Sequence, residues 1–120
     1  MSTTVSSPEE LLVWQKAVDL SVAVYKLTEK FPQREIYGIT SQMRRAVVSV
    51  PSNIAEGRRR GTRADFAHFL HMAHGSLAEL DTQLVIAHRL SFCDGSEYEQ
   101  ARSLITEVSK MLHAMIKGLR

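Results

Sequence analysis

Apolar residues recur at alternating steps of three and four in four separate stretches of the chain. This spacing turns one face of an α-helix towards its neighbours at a shallow crossing angle, whereas no stretch shows the period of two that a half-buried strand requires. The pattern predicts four helices, over about residues 8–30, 36–60, 63–91 and 97–118. Their apolar seams are Val13, Ala17, Leu20, Val24, Leu27 and Phe31; Met43, Val47, Val50 and Ile54; Phe66, Leu70, Ala73, Leu77, Leu80, Leu84 and Ala87; and Tyr98, Ala101, Ile105, Val108, Leu112, Met115 and Leu119.

Residues that begin or end helices stand between these stretches. The segment Ser7–Glu10 combines a capping serine, a proline and two acids, which is typical of a helix start, and Phe31–Pro32 is typical of a helix end. Thr62–Asp65 resembles a capping box, and Ser96–Glu99 matches one. Gly95 is placed to end the third helix.

The size and the short connections indicate one bundle. A chain of 120 residues with 44% apolar and 23% charged residues has the length and composition of a single globular domain. Short connections make sequential helices antiparallel neighbours. The sequence therefore predicts an all-α, antiparallel up-down-up-down four-helix bundle over residues 8–120, after a flexible N-terminus of residues 1–7.

Two residue types inside the predicted helices disfavour regular helix. Pro51 lacks an N–H and its ring presses on the carbonyl four residues earlier, so we expect a kink or a break between Val47 and Glu56. Asn53 is expected to bond backbone groups freed there. A structural role for Asn53 and Glu56 is favoured over a catalytic one, because no activated nucleophile accompanies them. Gly75 is expected to permit close helix packing.

The first and third helices carry a second apolar row. One interpretation is a wide stripe that faces a single core. The other is a subunit interface, which we favour because a helix with two seams usually meets two neighbours. The predicted interface residues are Trp14, Tyr25, Phe69, Met72 and Leu90.

Positive charge is concentrated in residues 42–63, here called the arginine segment. Six arginines oppose one glutamate there, a net charge of +5 in a chain whose net charge is +2. Arg44 and Arg58, like Arg45 and Arg59, are fourteen residues apart and would share a helix face at about 21 Å. Guanidinium groups suit phosphates, so one interpretation is a nucleic-acid surface; the other is a solvated helix end that favours positive charge. The six residues are Arg44, Arg45, Arg58, Arg59, Arg60 and Arg63.

Patterns for catalysis or metal binding are weak. His68, His71 and His74 follow Asp65 in steps of three, but a metal site needs ligands that converge. A phosphate loop, a dinucleotide fingerprint and a metal-binding cysteine pair are absent from the sequence. We therefore expect neither an enzyme nor a cofactor or bound metal. The single Cys93 indicates a reducing, cytoplasmic compartment, and no apolar run is long enough to predict membrane association.

Several segments resemble the four-helix-bundle proteins encoded in 23S rRNA intervening sequences, and the resemblance covers about residues 11–117. The most specific part is Asn53–Gly57, preceded by Pro51, and it implies a structural motif at Pro51, Asn53, Glu56 and Gly57. The matching segments are Val13–Ala17, Ser41–Ala46, Ser49–Gly57, Phe69–Leu70, Gly75–Leu80 and Gln83–Leu84. The resemblance implies a bacterial antiparallel bundle that assembles as a ring-shaped homopentamer. The chain is also similar to the accessory protein of diversity-generating retroelements, a basic pentameric barrel that binds nucleic acid and the reverse transcriptase.

Three functional hypotheses follow from these observations. The first is a non-enzymatic, oligomeric protein that binds nucleic acid through phosphate contacts of the arginine segment; structured RNA is favoured over DNA as the ligand. The second is a scaffold whose ring recruits a reverse transcriptase, another polymerase or some other partner without touching nucleic acid. The third is a hydrolase or metal protein that uses the histidine row.

Overall fold

The computed structural model describes residues 7–119, and this part of the chain is helical. It contains α1 (Pro8–Thr28), a 3-10 turn (Gln33–Glu35), α2 (Ile39–Arg60), α3 (Arg63–Arg89) and α4 (Gly95–Gly118), with no strand among the described residues. The four predicted helices are therefore confirmed. The predicted flexible N-terminus falls outside the described residues, except for Ser7.

Each helix packs against two others. α1 and α3 both contact α2 and α4, whereas the diagonal pairs do not approach within 8 Å between Cα atoms of the described residues. The predicted seams form the shared core, because every seam residue is buried except four at its margin, which pack partly buried against it. Burying a large aliphatic side chain contributes about 1.5–3 kcal/mol, so these seams supply most of the driving force for folding. The four marginal residues are Phe66, Tyr98, Met115 and Leu119.

Two helix starts agree with the sequence and one does not. Ser7 Oγ accepts from the Glu10 amide at 3.1 Å, and Thr62 Oγ1 accepts from the Asp65 amide at 3.1 Å. The fourth helix, however, is capped by Asp94 rather than by Ser96. The Glu97 amide donates to Asp94 Oδ1 at 2.8 Å, and the Asp94 amide donates to Glu97 Oε1 at 3.4 Å. This box places two carboxylates at the positive end of the helix dipole, and α4 begins two residues earlier than predicted.

The end of α3 differs from the prediction as well. Ser91, with φ of 64°, adopts the left-handed conformation there, and Gly95 is the first residue of α4 instead. The Ser91 amide donates to the His88 carbonyl and the Phe92 amide to the Ala87 carbonyl, each at 2.9 Å. These two bonds are those of a Schellman motif, and they satisfy the last carbonyls even though the residue is not glycine.

Of the kink or break predicted at Pro51, the break does not occur, because α2 is helical without interruption from Ile39 to Arg60. The missing proline N–H frees the Val47 carbonyl. Ser21 of α1 supplies a replacement, since its hydroxyl lies 3.3 Å from the Val47 oxygen and shares its proton with the Ala17 oxygen at 2.9 Å. Asn53 Nδ2 donates to the Ser49 carbonyl at 2.8 Å, which confirms the expected backbone bond.

Gly57 and Gly75 have opposite surroundings. A Cβ atom on Gly57 would lie 2.7 Å from the Cβ of Phe69 and 3.1 Å from Cδ1 of Phe66. Gly57 therefore lets α2 approach α3 closely. Gly75 has no heavy atom within 4 Å of the equivalent position, so the expectation that it permits close packing was wrong: its side of α3 faces solvent.

Candidate nucleic-acid interface

Arg44 and Arg58 lie on one face of α2, as their spacing predicted, and that face is turned towards α1. Arg44 Nε donates to Thr28 Oγ1 at 2.9 Å, and its guanidinium lies 4.6 Å from the centre of the Tyr25 ring. Arg58 Nε lies 3.1 Å from Glu10 Oε1, and both side chains are at least three-quarters buried. These two arginines therefore link both ends of α1 to α2.

Arg59 and Arg60 share one acidic partner. Arg59 Nη2 lies 2.5 Å from Glu56 Oε1, and Arg60 Nε lies 3.0 Å from Glu56 Oε2. The hydrogen bond from Arg59, more than the nearby charge of both arginines, lowers the pKa of Glu56 below its ordinary value. The carboxylate is therefore charged at neutral pH and offsets part of the positive charge. Arg60 also lies 4.9 Å from the centre of the Phe69 ring.

The two remaining arginines behave differently from each other. Arg63 Nη2 donates to the Gly118 carbonyl at 3.2 Å, which satisfies one of the orphan acceptors at the C-terminal end of α4. Arg45 is exposed, and within residues 7–119 no acidic group lies within 4.0 Å of its guanidinium. Arg45 is thus the member of the segment whose charge is least compensated.

The predicted interface residues do not share one surface. Trp14 and Tyr25 are exposed on α1, whereas Met72 and Leu90 are exposed on α3, so each of these two helices presents an apolar face to the outside. Phe69 is partly buried instead, because it packs against Gly57 and beneath Arg60. That residue belongs to the contact between α2 and α3 rather than to a free outer face.

Sequence reasoning missed Tyr37, whose side chain is 93% exposed. The residue lies in the connection between the 3-10 turn and α2, outside every apolar seam. An aromatic residue in a short connection, with no seam to join, was the signal that could have identified it. A ring exposed to this extent is accessible to a ligand.

The histidine row does not converge. His68 and His71 are exposed, while His74 Nε2 lies 3.1 Å from Ser109 Oγ and its ring centre lies 6.5 Å from that of His113. Across the described residues, no three histidine, cysteine, aspartate or glutamate side chains are placed to hold one metal ion.

Cys93 is buried beside the start of α4. Burial, with the charges of Glu97 and Asp94 as smaller causes, raises the pKa of its thiol. A protonated thiol is a poor nucleophile, so nothing in this surrounding activates Cys93.

Among residues 7–119, no helix combines the length and the apolar character needed to cross a bilayer.

Comparison with known proteins agrees with the resemblance noted in the sequence. The chain has the fold of a crystal structure, at 1.70 Å resolution, of a protein of unknown function from the S23 ribosomal protein family of Bacteroides thetaiotaomicron VPI-5482. The TM-score is 0.84 at 24% sequence identity, and the match covers 91% of this chain and 98% of the other. None of the curated proteins that were compared with the chain matches it. The family model described as "23S rRNA-intervening sequence protein" matches residues 9–114, so the chain belongs to that family.

Proposed function

We propose that this protein is a non-enzymatic nucleic-acid-binding protein that contacts RNA phosphates through the arginine segment. The observation that carries the proposal is the line formed by Arg45 and Arg59, which are both exposed on α2. Fourteen residues of helix separate them by about 21 Å, so the two guanidinium groups can each reach a different phosphate of one nucleic-acid strand. The other four arginines hold the helices together around this line or lie beside it.

We also propose that the bundle runs up-down-up-down and that its copies close into a ring. Contacts of Arg58 with Glu10, and of Arg44 with Thr28, join the end of α2 to the start of α1 and the start of α2 to the end of α1. The exposed apolar residues on α1 and α3 support association through two different faces, which is what a head-to-tail ring requires. In a ring of five, the number that the resemblance implies, five arginine segments of +5 would raise the local potential far above that of one subunit.

A scaffold is the second candidate function. The exposed apolar side chain of Ile86 near the C-terminal end of α3 favours it, because a partner protein such as a polymerase could bury it. This candidate needs no contact between the arginine segment and nucleic acid.

A titration of labelled RNA at several salt concentrations separates the two functions. The variant to compare is Arg45→Gln with Arg59→Gln, since neither side chain bridges two helices. Arg58 and Arg63 stay unchanged because they contact other helices. The matched control is Arg89→Gln with Lys110→Gln, which removes the same charge from exposed positions outside the arginine segment.

We expect the first variant to bind RNA of any sequence more weakly, and its slope of log affinity against log salt to flatten by about 2, because phosphate contacts release counterions. The control should bind like the unchanged protein. No binding at low salt would overturn the nucleic-acid proposal and favour the scaffold. An equal loss in both variants would show that net charge, not this line of arginines, drives binding.

A further inference from the structure

A shallow groove of about 670 Å³ runs between the C-terminal part of α1 and the N-terminal half of α2. Two arginines and several hydroxyl groups line it, and no aspartate or glutamate does. By contrast, the cleft at the opposite end of the same two helices contains Glu10 beside Arg58 and Arg59. In this groove, unlike in the cleft at the other end, no carboxylate accompanies the arginine side chains. The polar and charged lining residues that matter here are Tyr25, Ser41, Arg44, Arg45, Ser49 and Ser52.

The lining groups are arranged for an anion. Arg44 is held over the Tyr25 ring by its bonds to Thr28 Oγ1 and, at 3.4 Å, to the Tyr25 carbonyl, so its guanidinium is already ordered. Arg45 is exposed beside it. Successive steps of about four residues place Ser41, Arg45 and Ser49 along one face of α2, with Ser52 one turn further. Ser49 Oγ already donates to the Ala46 carbonyl at 2.7 Å. The hydroxyl groups of Ser41 and Ser52 can donate to phosphate oxygens, and a guanidinium can bind two of them at once.

An exposed aromatic residue directly follows one of the groove's lining residues in the sequence. Ile36 lines the groove, and its neighbour Tyr37 is 93% exposed at the point where the chain turns into α2. A ring in that position can stack on a nucleic-acid base, and stacking tolerates any sequence because every base has a π-face. Bases are accessible for stacking only where a strand is unpaired, since those in a duplex already stack on each other.

We propose that this groove binds unpaired segments of nucleic acid, with phosphates at Arg45 and the neighbouring hydroxyls and a base stacked on Tyr37. The proposal rests on the nucleic-acid function proposed above and adds its ligand class and its site. It narrows the centre of binding from the whole line between Arg45 and Arg59 to the N-terminal end of the arginine segment.

The test uses the full chain and fluorescence anisotropy with a labelled single-stranded RNA of twenty uridines, beside a duplex of the same length. Tyr37→Leu removes the π-face but keeps an apolar side chain, whereas Tyr37→Phe keeps the ring. Because Tyr37 is almost fully exposed, neither change should alter folding, which circular dichroism checks. We expect Tyr37→Leu to weaken single-strand binding by about 5- to 150-fold, the range of one lost base stack, and Tyr37→Phe to bind like the unchanged protein.

Arg45→Gln supplies the second arm, with Arg89→Gln as the matched control. We expect Arg45→Gln to weaken binding of the single strand and to flatten its salt slope by about 1, and Arg89→Gln to change neither. Equal single-strand affinity for Tyr37→Leu and the unchanged protein, or tighter binding of the duplex, would overturn the groove assignment while the proposed function stands. Absence of binding to both probes at low salt would instead overturn the proposed function itself.

Discussion

The two ends of α2 carry the same residue type and differ in what surrounds it. At the C-terminal end, Arg58 pairs with Glu10, while Arg59 and Arg60 both pair with Glu56. At the N-terminal end, Arg45 lies in a groove that no acidic side chain lines. The number of arginines in a segment of the sequence therefore does not give the positive electrostatic potential that a ligand meets at the surface. Carboxylates brought in from a neighbouring helix, or from the preceding turn, decide it.

Close packing distinguishes the C-terminal end most strongly, and Gly57→Ala tests this. The new methyl group would meet the Cβ of Phe69 and push α2 away from α3. We expect the free energy of unfolding, measured by urea titration, to fall by about 1–3 kcal/mol, which is typical of overpacking. The matched control is Gly75→Ala, whose methyl group would enter open space on the same bundle. It should raise the free energy of unfolding by up to about 1 kcal/mol, because alanine favours helix over glycine. A neutral Gly57→Ala would show that the two helices are not in tight contact there.

A smaller effect is expected when Arg58 is replaced, which tests whether the C-terminal arginines are structural. Arg58→Gln leaves Glu10 partly buried without its charged partner, so the free energy of unfolding should fall by about 1 kcal/mol. Arg45→Gln, at the other end of α2, should change it by less than about 0.5 kcal/mol, as an exposed residue does. Urea unfolding of Arg58→Gln, Glu10→Gln and the double variant gives the coupling energy directly. Additive effects of the two single changes would mean that the pair contributes nothing, and the contrast between the ends would then lose its energetic basis.

The smallest change concerns Glu56, which offsets the charge of two exposed arginines. Glu56→Gln should raise the affinity for RNA a few-fold at neutral pH, because Arg59 and Arg60 lose their shared carboxylate. The pKa of Glu56 is lowered in the folded protein, so its contribution to stability is present above the unfolded pKa and is lost as pH falls through the folded pKa. Protonation removes the carboxylate charge, so the unchanged protein and the variant should converge in RNA affinity only below the ordinary pKa of glutamate, about 4.3. Affinity measured from neutral pH down into that acidic range checks this, and a constant ratio even where Glu56 is protonated would contradict it.

Local patterns in the sequence were sufficient to predict the helices and the core. Steps of three and four predicted which residues are buried, because residues at this spacing lie on the same face of a helix. This relation is local, so it can be read from the sequence alone. Local rules also predicted the caps at Ser7 and Thr62, both of which the structure shows. They were wrong at Ser96, because Asp94 and Glu97 offer the same capping geometry two residues earlier, and wrong at Gly95, because Ser91 reaches the left-handed conformation first.

The roles of the unusual residues depend on how the helices pack. α2 continues through Pro51, where Ser21, twenty-six residues earlier than Val47, lies near the freed Val47 carbonyl. Gly57 matters, and Gly75 does not, because only one of them meets a neighbouring helix. The same holds for the arginines. Their spacing predicted that Arg44 and Arg58 share one face of α2. Helix packing decides whether that face contacts α1 and which carboxylates lie beside it. Electrostatic and steric partners are distant in sequence, so no local pattern in the chain contains them.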